Sequence, residues 1–251
     1  MGRLIEDLGP EEAAENDRLR VLVAGATGGT GQQVTRRLGD TDRVVRGMTR
    51  SRGSVEDLAA IGADEVAVGD LMEPSDAETA VQGCDAVVCT VGSTPGLGTL
   101  FGDLVDGRGV VNLVKAAEAE GLDRFVLVSS IGVGDSKPGM PIFLRALLGV
   151  TGVLSAKERG ENRLRRSDLT HTILRPGGLT DEDATGDVVV GEGGDTVSGS
   201  IPRGDVGRIA TAAPETVASE NRTFEIVASD GLRGEPSGVV GIDWASVGSP
   251  E

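Results

Sequence analysis

The chain has 251 residues, and 40 Asp and Glu against 24 Lys and Arg give it a formal net charge of −16. A chain of this length buries enough apolar surface to fold without disulfides or a structural metal. Its negative charge repels nucleic-acid phosphates and anionic lipids, so we expect neither nucleic acid nor a membrane as a partner. Because no uncharged stretch could cross a bilayer and the first twenty residues lack the apolar core of a signal peptide, we expect a protein that is neither secreted nor membrane-spanning.

The rare residue types of the chain also carry information. Cys84 and Cys89 fall on one predicted extended segment, which would hold them about 17 Å apart, beyond the roughly 7 Å reach of a disulfide. This indicates a reducing compartment, and we expect a cytoplasmic protein. With only three lysines, the composition also resembles the lysine-poor, acidic surfaces of proteins from salt-loving organisms, which indicates a halophilic protein.

From residue 20 onward, short β-branched runs alternate with segments of helical length. Pro74 suits the first turn of one predicted helix, and Gly62 and Gly83 suit the C-terminal caps of two. The expected strands of the first half are RVLVAG, VVRGM, DEVAVGD and DAVVCTVG, and the helices between them are GQQVTRRLG, SVEDLAAIG and PSDAETAVQG.

The second half continues the alternation, so the sequence predicts one α/β domain over residues 19–230 with a doubly wound, mostly parallel sheet. We expect residues 186–200 to form a loop or short hairpin, residues 1–18 an acidic tail, and residues 231–251 a loosely ordered tail. The predicted elements of this half are VVNLVKAAEAEG, KERGENRLRRS and PRGDVGRIATAA as helices and RFVLVSS, THTILRP and RTFEIVAS as strands.

A glycine-rich loop follows the first predicted strand. Gly25, Gly28 and Gly31 have GxxGxxG spacing where the first helix begins. Such glycines allow a tight turn, a close approach to a diphosphate and close packing of the helix, whose free N–H groups point at the phosphates. Similar turns also occur without ligands, but the surrounding βαβ pattern predicts dinucleotide binding by a Rossmann-like domain. The other predicted contacts of this loop are Thr27, Gly29 and Thr30.

The end of the second strand favours NADP over NAD, with NAD left open. A carboxylate there would bind the ribose 2′-hydroxyl of NAD, whereas an arginine would bind the 2′-phosphate of NADP. The segment has no carboxylate between residues 44 and 54, and Arg50 stands where the strand should end. Residues 36–52 contain six arginines and two aspartates, which indicates an anionic ligand or, alternatively, a solvated arginine face.

Two further strand ends face the predicted cofactor. Asp70 would accept a hydrogen bond from the adenine amino group, with Leu71 against the ring, although Asp70 is equally placed to cap the next helix. Thr90, Val91 and Gly92, which follow the fourth strand, would pass under the cofactor ribose.

Several longer segments resemble the atypical short-chain dehydrogenase/reductases, NAD(P)-binding proteins of epimerase-like, NmrA-like or biliverdin/flavin-reductase-like type. The resemblance spans residues 20–229 and rests on GATGGTG, LVKAAEAEGLDRFVLVSSIGV, KERGENRLRRSDLTHTILRPGGLT and SIPRGDVGRIA. It implies that Ser129 is the active-site serine and that Lys157 holds the nicotinamide ribose. It also implies that Pro176 and Gly177 pack on the nicotinamide.

The chain departs from this family at the catalytic tyrosine. Catalytic members have a tyrosine four residues before the lysine; here that residue is Val153, and the chain contains no tyrosine. Tyrosine would protonate the carbonyl oxygen during reduction. The other candidate acids are Ser129, the adjacent Ser130, Cys89 and His171, of which Cys89 and His171 also suit ordinary core positions.

These observations predict an NADPH-dependent oxidoreductase or epimerase-like enzyme acting on a small organic acceptor such as a flavin, quinone or carbonyl. A flavin or quinone delocalises the charge left by hydride transfer and needs no protein acid. A non-catalytic NADP(H) sensor or assembly factor with a protein partner is the alternative. The sequence shows neither a metal-ligand cluster nor a GxSxG hydrolase motif, and it leaves the oligomeric state open.

Overall fold

The computed structural model describes residues 3–5, 18–93, 104–139 and 151–246. Within these ranges, nine strands form one sheet in the order β1-β4-β3-β2-β5-β6-β7-β11-β9. The pairings are parallel except for that between β11 and β9. The strands of this sheet are β1 (Arg3–Leu4), β2 (Arg20–Ala24), β3 (Val44–Thr49), β4 (Glu65–Val68), β5 (Ala86–Cys89), β6 (Arg124–Val128), β7 (Thr170–Pro176), β9 (Val188–Glu192) and β11 (Arg222–Ala228).

Helices cover both faces of the sheet, which confirms the predicted doubly wound α/β, Rossmann-like fold. Alternate residues of β2 enter opposite layers: Val21 and Val23 belong to one apolar cluster, and Leu22 and Ala24 to the other. Burial on both faces explains why the strands are continuous apolar runs. The helices are α1 (Gly29–Gly39), α2 (Val55–Ala60), α3 (Pro74–Val81), α4 (Val110–Glu120), α5 (Val153–Arg165) and α6 (Arg203–Ala212).

Residues 186–200 do not form the loop or short hairpin that the sequence predicted, because their strands pair with distant parts of the chain and not with each other. Val188–Glu192 forms β9, an edge strand antiparallel to β11. Ser200–Pro202 forms β10, which pairs in parallel with β8 (Gly178–Thr180) in a separate two-stranded sheet. The β-branched run at 188–190 indicated a strand, but its partners lie 36 to 40 residues later, from Val188 with Ala228 to Val190 with Ile226, and local sequence does not specify such a pairing.

The two ends of the chain also contact the domain. Arg3–Leu4 pairs with β4, while most of the predicted N-terminal tail lies outside the described residues. The predicted C-terminal tail is not loose over residues 231–246. Trp244 packs edge-on against Phe224 with ring centroids 5.8 Å apart, and Val239 forms a bridge with Gly191. Apolar side chains in this segment cover the core, which its Gly, Ser and Pro content did not indicate.

In the part of the chain that the structure describes, no helix is both long and apolar enough to cross a membrane.

Candidate functional site

A cleft of about 570 Å³ lies at the carboxyl ends of β4, β3, β2 and β5. The strand order reverses between β2 and β5, and this is where doubly wound sheets bind their ligands. The cleft brings together nine of the residues predicted from the sequence to bind the cofactor. They are Gly25, Thr27, Gly28, Arg50, Asp70, Leu71, Thr90, Val91 and Gly92.

The glycine loop has the geometry that its spacing predicted. Gly25 has a φ of +84°, and a Cβ there would lie 3.0 Å from the amide nitrogen of Val91. A Cβ on Gly31 would lie 2.1 Å from the carbonyl oxygen of Gly25, so Gly31 packs α1 against the turn. The loop is therefore a backbone cradle that side chains at these positions would fill, which fits a bound diphosphate.

The remaining residues of the loop lie just outside the cleft. Gly29, Thr30 and Gly31 are not among the described residues that line it, and Thr30 and Gly31 are buried. The N-cap of α1 is Gly28, which has no capping side chain, and the first turn contains no acidic residue. The first amides of α1 are thus left for an anion.

Arg50 lines the cleft from the end of β3 and is exposed to solvent. This position suits the adenosine 2′-phosphate of NADP, because Arg50 follows the strand at which the choice between NAD and NADP is normally made. The position of Arg50 is therefore consistent with the predicted contact to the 2′-phosphate, which stays a prediction.

The arginine count over residues 36–52 does not itself locate the anion site, because two of these arginines pair within the protein. Arg46 is buried in β3, with Nη2 2.7 Å from Oε2 of Glu65, and Nη1 donates hydrogen bonds to the carbonyl oxygens of Ala80 and Gln82. Arg43 pairs with Glu215. Their carboxylate partners lie outside residues 36–52, so a count of charge within that segment misses them.

Asp70 lies in the turn before α3 but does not cap that helix, whose N-cap is Glu73; its hydrogen bond to adenine stays a prediction. It lines the cleft, and its Oδ1 accepts a hydrogen bond of 3.0 Å from the amide of Met72. Its own amide donates to Oδ2 of Asp76 at 2.8 Å. These bonds fix the turn before α3, and Leu71 is buried beside it while still lining the cleft.

An ion pair lies beside the Gly92 end of the cleft. Nζ of Lys157 is 2.8 Å from Oδ1 of Asp106, whose side chain is completely buried. The other carboxylate oxygen of Asp106 accepts a hydrogen bond of 2.7 Å from the amide of Ser93. A Cβ on Gly92 would lie 3.8 Å from the carboxylate and 3.9 Å from Nζ of Lys157, so the pair adjoins the strip predicted to run under the ribose.

Asp106 is a site residue that the sequence analysis missed. It lies in a turn of π-helix, Val105–Gly109, that leads into α4; such turns are frequent at functional sites. Gly160 of α5 allows the close approach, since a Cβ there would lie 2.9 Å from the carbonyl oxygen of Asp106. The segment of the sequence that contains Asp106, LFGDLVDG, has no helix or strand pattern, and one acidic residue in so acidic a chain gives little signal.

Opposing effects set the pKa of Asp106. Burial raises it, but the charge and hydrogen bond of Lys157 and the hydrogen bonds from Ser93 lower it, and the net pKa lies below its usual value. The carboxyl of Asp106 is therefore ionised near neutrality.

Ser129 lies in the same recess as Lys157 and Asp106, which Val91 connects to the main cleft. Its side chain is buried, and Oγ has no hydrogen-bond partner among the described residues. A buried hydroxyl without a partner is costly, and the recess of about 10 Å³ has room for no more than about one water molecule or one ligand atom beside it. Ser130 is only half-buried.

The segment that holds Lys157 is fixed to the sheet at a second point. Glu161, one turn further along α5, accepts hydrogen bonds of 3.0 and 2.8 Å from Arg175 of β7. Both side chains are buried. This pair sets the orientation of α5, and it precedes Pro176 and Gly177 at the end of β7. A Cβ on Gly177 would lie 2.5 Å from the carbonyl oxygen of Gly199, so Gly177 allows close packing there; its contact with a nicotinamide stays a prediction.

The other candidate acids are poorly placed. His171 lies near the beginning of β7, at the end of the sheet opposite the cleft, and Nδ1 contacts the carbonyl oxygen of Leu169 at 3.1 Å. Cys89 is completely buried, and burial raises its pKa to about 12. Val153, in the position of the missing tyrosine, is buried against Leu104 and Ala156. Ser129 and Lys157 are therefore the candidates that the structure places together, in the recess beside the cleft.

Comparisons with known proteins agree with this geometry. The profile of a protein family described as NAD(P)H-binding matches residues 25–216. An uncharacterised chloroplastic protein of Arabidopsis thaliana is 35% identical over 83% of this chain and 76% of its own length. The uncharacterised sugar epimerase YhfK of Bacillus subtilis is 31% identical over 84% of this chain and 95% of its own length. ChuY of Escherichia coli O157:H7, an anaerobillin reductase of known structure, has a TM-score of 0.72 and 26% identity, covering 86% of this chain and all of ChuY.

Several relatives are chloroplastic, so a cytoplasmic location stays a prediction. Among the described residues, no group of His, Cys, Asp and Glu side chains could hold a metal ion.

Proposed function

The chain belongs to the family of NAD(P)H-binding proteins, and on that basis we propose that it is an NADPH-dependent reductase of a small acceptor that delocalises negative charge, such as a flavin, a quinone or a conjugated carbonyl. The observation that carries this proposal is the recess beside the cleft, where Lys157, Asp106 and Ser129 lie together in a chain without tyrosine. The names of the relatives, a sugar epimerase and an anaerobillin reductase, support NAD(P)H-linked chemistry.

The preference for NADPH rests on Arg50. The guanidinium is planar and always charged, and it binds phosphate with two parallel hydrogen bonds. Arg50 is exposed at the end of β3, whereas the neighbouring Arg46 is occupied by Glu65. One side chain, and not the whole arginine-rich segment, therefore accounts for the proposed selectivity.

Lys157 is proposed to bind the nicotinamide ribose, and Asp106 to hold its ammonium in place. Asp106 is fixed by the amide of Ser93, so the lysine is held before any ligand arrives. NADPH, when bound, supplies a hydride. The hydroxyl of Ser129, which has no partner among the described residues, is proposed to donate a hydrogen bond to the oxygen or nitrogen of the acceptor on which charge develops.

The missing tyrosine limits the acceptor. Val153 cannot donate a proton, and Cys89 and His171 are unsuitable because of burial and position. An acceptor that spreads the added charge over a conjugated system can be protonated later by water, so the protein supplies binding and orientation. A simple aliphatic ketone would need an acid in the site and is expected to be a poor substrate.

The proposal is tested by following the consumption of NADPH in concentrated salt with flavins, quinones, conjugated aldehydes and an aliphatic ketone. Lys157→Met should abolish most of the turnover. Lys115→Met is the matched control, because Lys115 is an exposed lysine of α4, and this variant should retain full activity. Equal activity of the two variants would contradict the role given to Lys157.

A second candidate function is a non-catalytic NADP(H) sensor or assembly factor whose cofactor changes a protein-binding surface. Val153 at the tyrosine position favours it. Tight binding of NADPH without oxidation by any acceptor in the panel would overturn the reductase proposal in favour of the sensor, and absence of both binding and turnover would overturn both.

A further inference from the structure

Arg203 brings a positive charge from the second half of the chain to the glycine loop. It is the first residue of α6, directly after Pro202, in the segment SIPRGDVGRIA. Helix α6 packs closely on α1, because a Cβ on Gly207 would lie only 2.6 Å from Cβ of Gln33. This packing fixes the beginning of α6 next to the beginning of α1.

The side chain of Arg203 crosses the first residue of α1. A Cβ on Gly29 would lie 2.7 Å from Cδ and 2.9 Å from Nε of Arg203. Gly29 therefore provides the space that the arginine occupies. Cζ of the guanidinium would lie 3.8 Å from the same Cβ, so the charge is close to the first residue of α1, at the edge of the loop where the dinucleotide phosphates are expected.

The guanidinium of Arg203 has a replaceable partner. Its Nη1 lies 2.6 Å from Oδ1 of Asp181, whose side chain is 89% exposed. Exposed ion pairs contribute only about 0–1 kcal/mol, whereas hydrogen bonds from a guanidinium to phosphate are among the strong ones. A phosphate that approaches the loop can therefore replace the carboxylate.

The segment that carries Asp181 is itself attached to α6. Asp205 is completely buried, and it accepts hydrogen bonds of 2.8 Å from the amide of Thr185 and 2.9 Å from the amide of Gly186. Asp181 thus belongs to a segment that is anchored beside Arg203.

We infer that Arg203 is a further cofactor-binding residue, whose guanidinium binds the diphosphate bridge of the dinucleotide and is held by Asp181 in the free protein. This inference deepens the proposed function and rests on cofactor binding in the cleft, but it does not depend on turnover.

The test compares three ligands by calorimetry. Arg203→Gln should weaken NADPH and NADH by the same factor, about tenfold to a hundredfold for the loss of charge-assisted hydrogen bonds. It should leave the affinity for adenosine 2′-monophosphate unchanged, because that probe lacks the diphosphate.

Arg50→Gln should show a different pattern. It should weaken the binding of NADPH and adenosine 2′-monophosphate but not that of NADH. Arg208→Gln is the matched control for Arg203→Gln on the same helix, because Arg208 contacts Asp205 and the carbonyl oxygen of Gly186; it should change none of the affinities.

Two further variants keep the inference testable if Arg203→Gln folds poorly. Asp181→Asn removes the competing carboxylate and should tighten both dinucleotides several-fold. Gly29→Ala should displace the side chain of Arg203 and so weaken dinucleotide binding. Because both substitutions then act on the same contact, the double variant Gly29→Ala/Arg203→Gln should bind the dinucleotides about as well as Arg203→Gln alone.

Unchanged dinucleotide affinity in both Arg203→Gln and Asp181→Asn would overturn the inference. Because these measurements follow binding alone, a wild-type protein that binds NADPH without oxidising it would contradict the reductase proposal and leave the role of Arg203 intact.

Discussion

Lys157 and Asp106 form an ion pair of 2.8 Å between α5 and the π-turn before α4, with the carboxylate completely buried. Short-chain dehydrogenases that use a tyrosine need the lysine charge to lower the pKa of that tyrosine. Here a carboxylate of the protein balances the lysine charge. The pair can hold a ribose, but it does not generate a tyrosine-like acid.

Lys157→Met should destabilise the fold as well as the site. It leaves the carboxylate of Asp106 buried without a partner, and breaking such a pair typically costs about 3–5 kcal/mol. The double variant Asp106→Asn/Lys157→Met should regain most of this free energy of unfolding, measured in urea, but not the turnover. Recovery of both would show that the pair has only a structural role.

The buried cluster around Glu65 should affect stability without affecting cofactor choice. Glu65 contacts Arg46 at 2.7 Å and Arg20 at 3.2 Å, and all three side chains are buried. Glu65→Ala removes the carboxylate that balances these two buried cations, so we expect a loss of about 3–5 kcal/mol in the free energy of unfolding. The ratio of NADPH to NADH affinity should stay unchanged in this variant, whereas Arg50→Ala should change the ratio and leave stability intact. A changed ratio of NADPH to NADH affinity in Glu65→Ala would show that the cluster contributes to cofactor binding.

His171, the single histidine, should make stability depend on pH. Burial lowers its pKa below the ordinary 6.5, and the nearby charge of Arg165 also lowers it. The unfolded chain therefore binds this proton at a higher pH than the folded protein, so stability is complete above pH 6.5 and falls as the pH drops toward the folded pKa. The slope is at most about 1.4 kcal/mol per pH unit. Unfolding in urea at a series of pH values should show this slope, and His171→Gln should remove it; the same slope in both proteins would contradict the assignment.

The two cysteines should be unreactive in the folded protein. Burial raises the pKa of both Cys84 and Cys89 to about 12. At about pH 8 neither should react with iodoacetamide until urea unfolds the chain, and mass spectrometry then counts two modified thiols. Cys89→Ala should retain turnover, whereas Ser129→Ala should reduce it. Rapid labelling of the native protein would show that the cleft exposes a thiol.

The sequence predicted the part of the site that depends on local patterns. Gly25, Gly28, Arg50 and Asp70 each follow a buried strand, and parallel strands bring their carboxyl ends to one edge of the sheet. The strand and helix alternation of the domain was predictable for the same reason, because it follows from hydrophobic periodicity.

What the sequence could not predict depends on contacts between distant residues. Asp106 belongs to the site because it pairs with Lys157, which lies fifty-one positions later in the chain. Arg46 is unavailable to a ligand because it pairs with Glu65. The pairing of β9 with β11 and the packing of Trp244 on Phe224 are also non-local. Their residue types were visible, but their partners were not.

Transfer of hydrogen from NADPH to an acceptor is the most direct test of the account. With NADPH deuterated at the reactive carbon of the nicotinamide, the wild-type protein in concentrated salt should oxidise the cofactor more slowly than unlabelled NADPH with a flavin or quinone. With a conjugated aldehyde, which receives hydride on carbon, it should give a deuterated product. The Asp106→Asn/Lys157→Met variant should give almost none. Tight binding of the labelled cofactor with no oxidation of it by any acceptor would contradict the account.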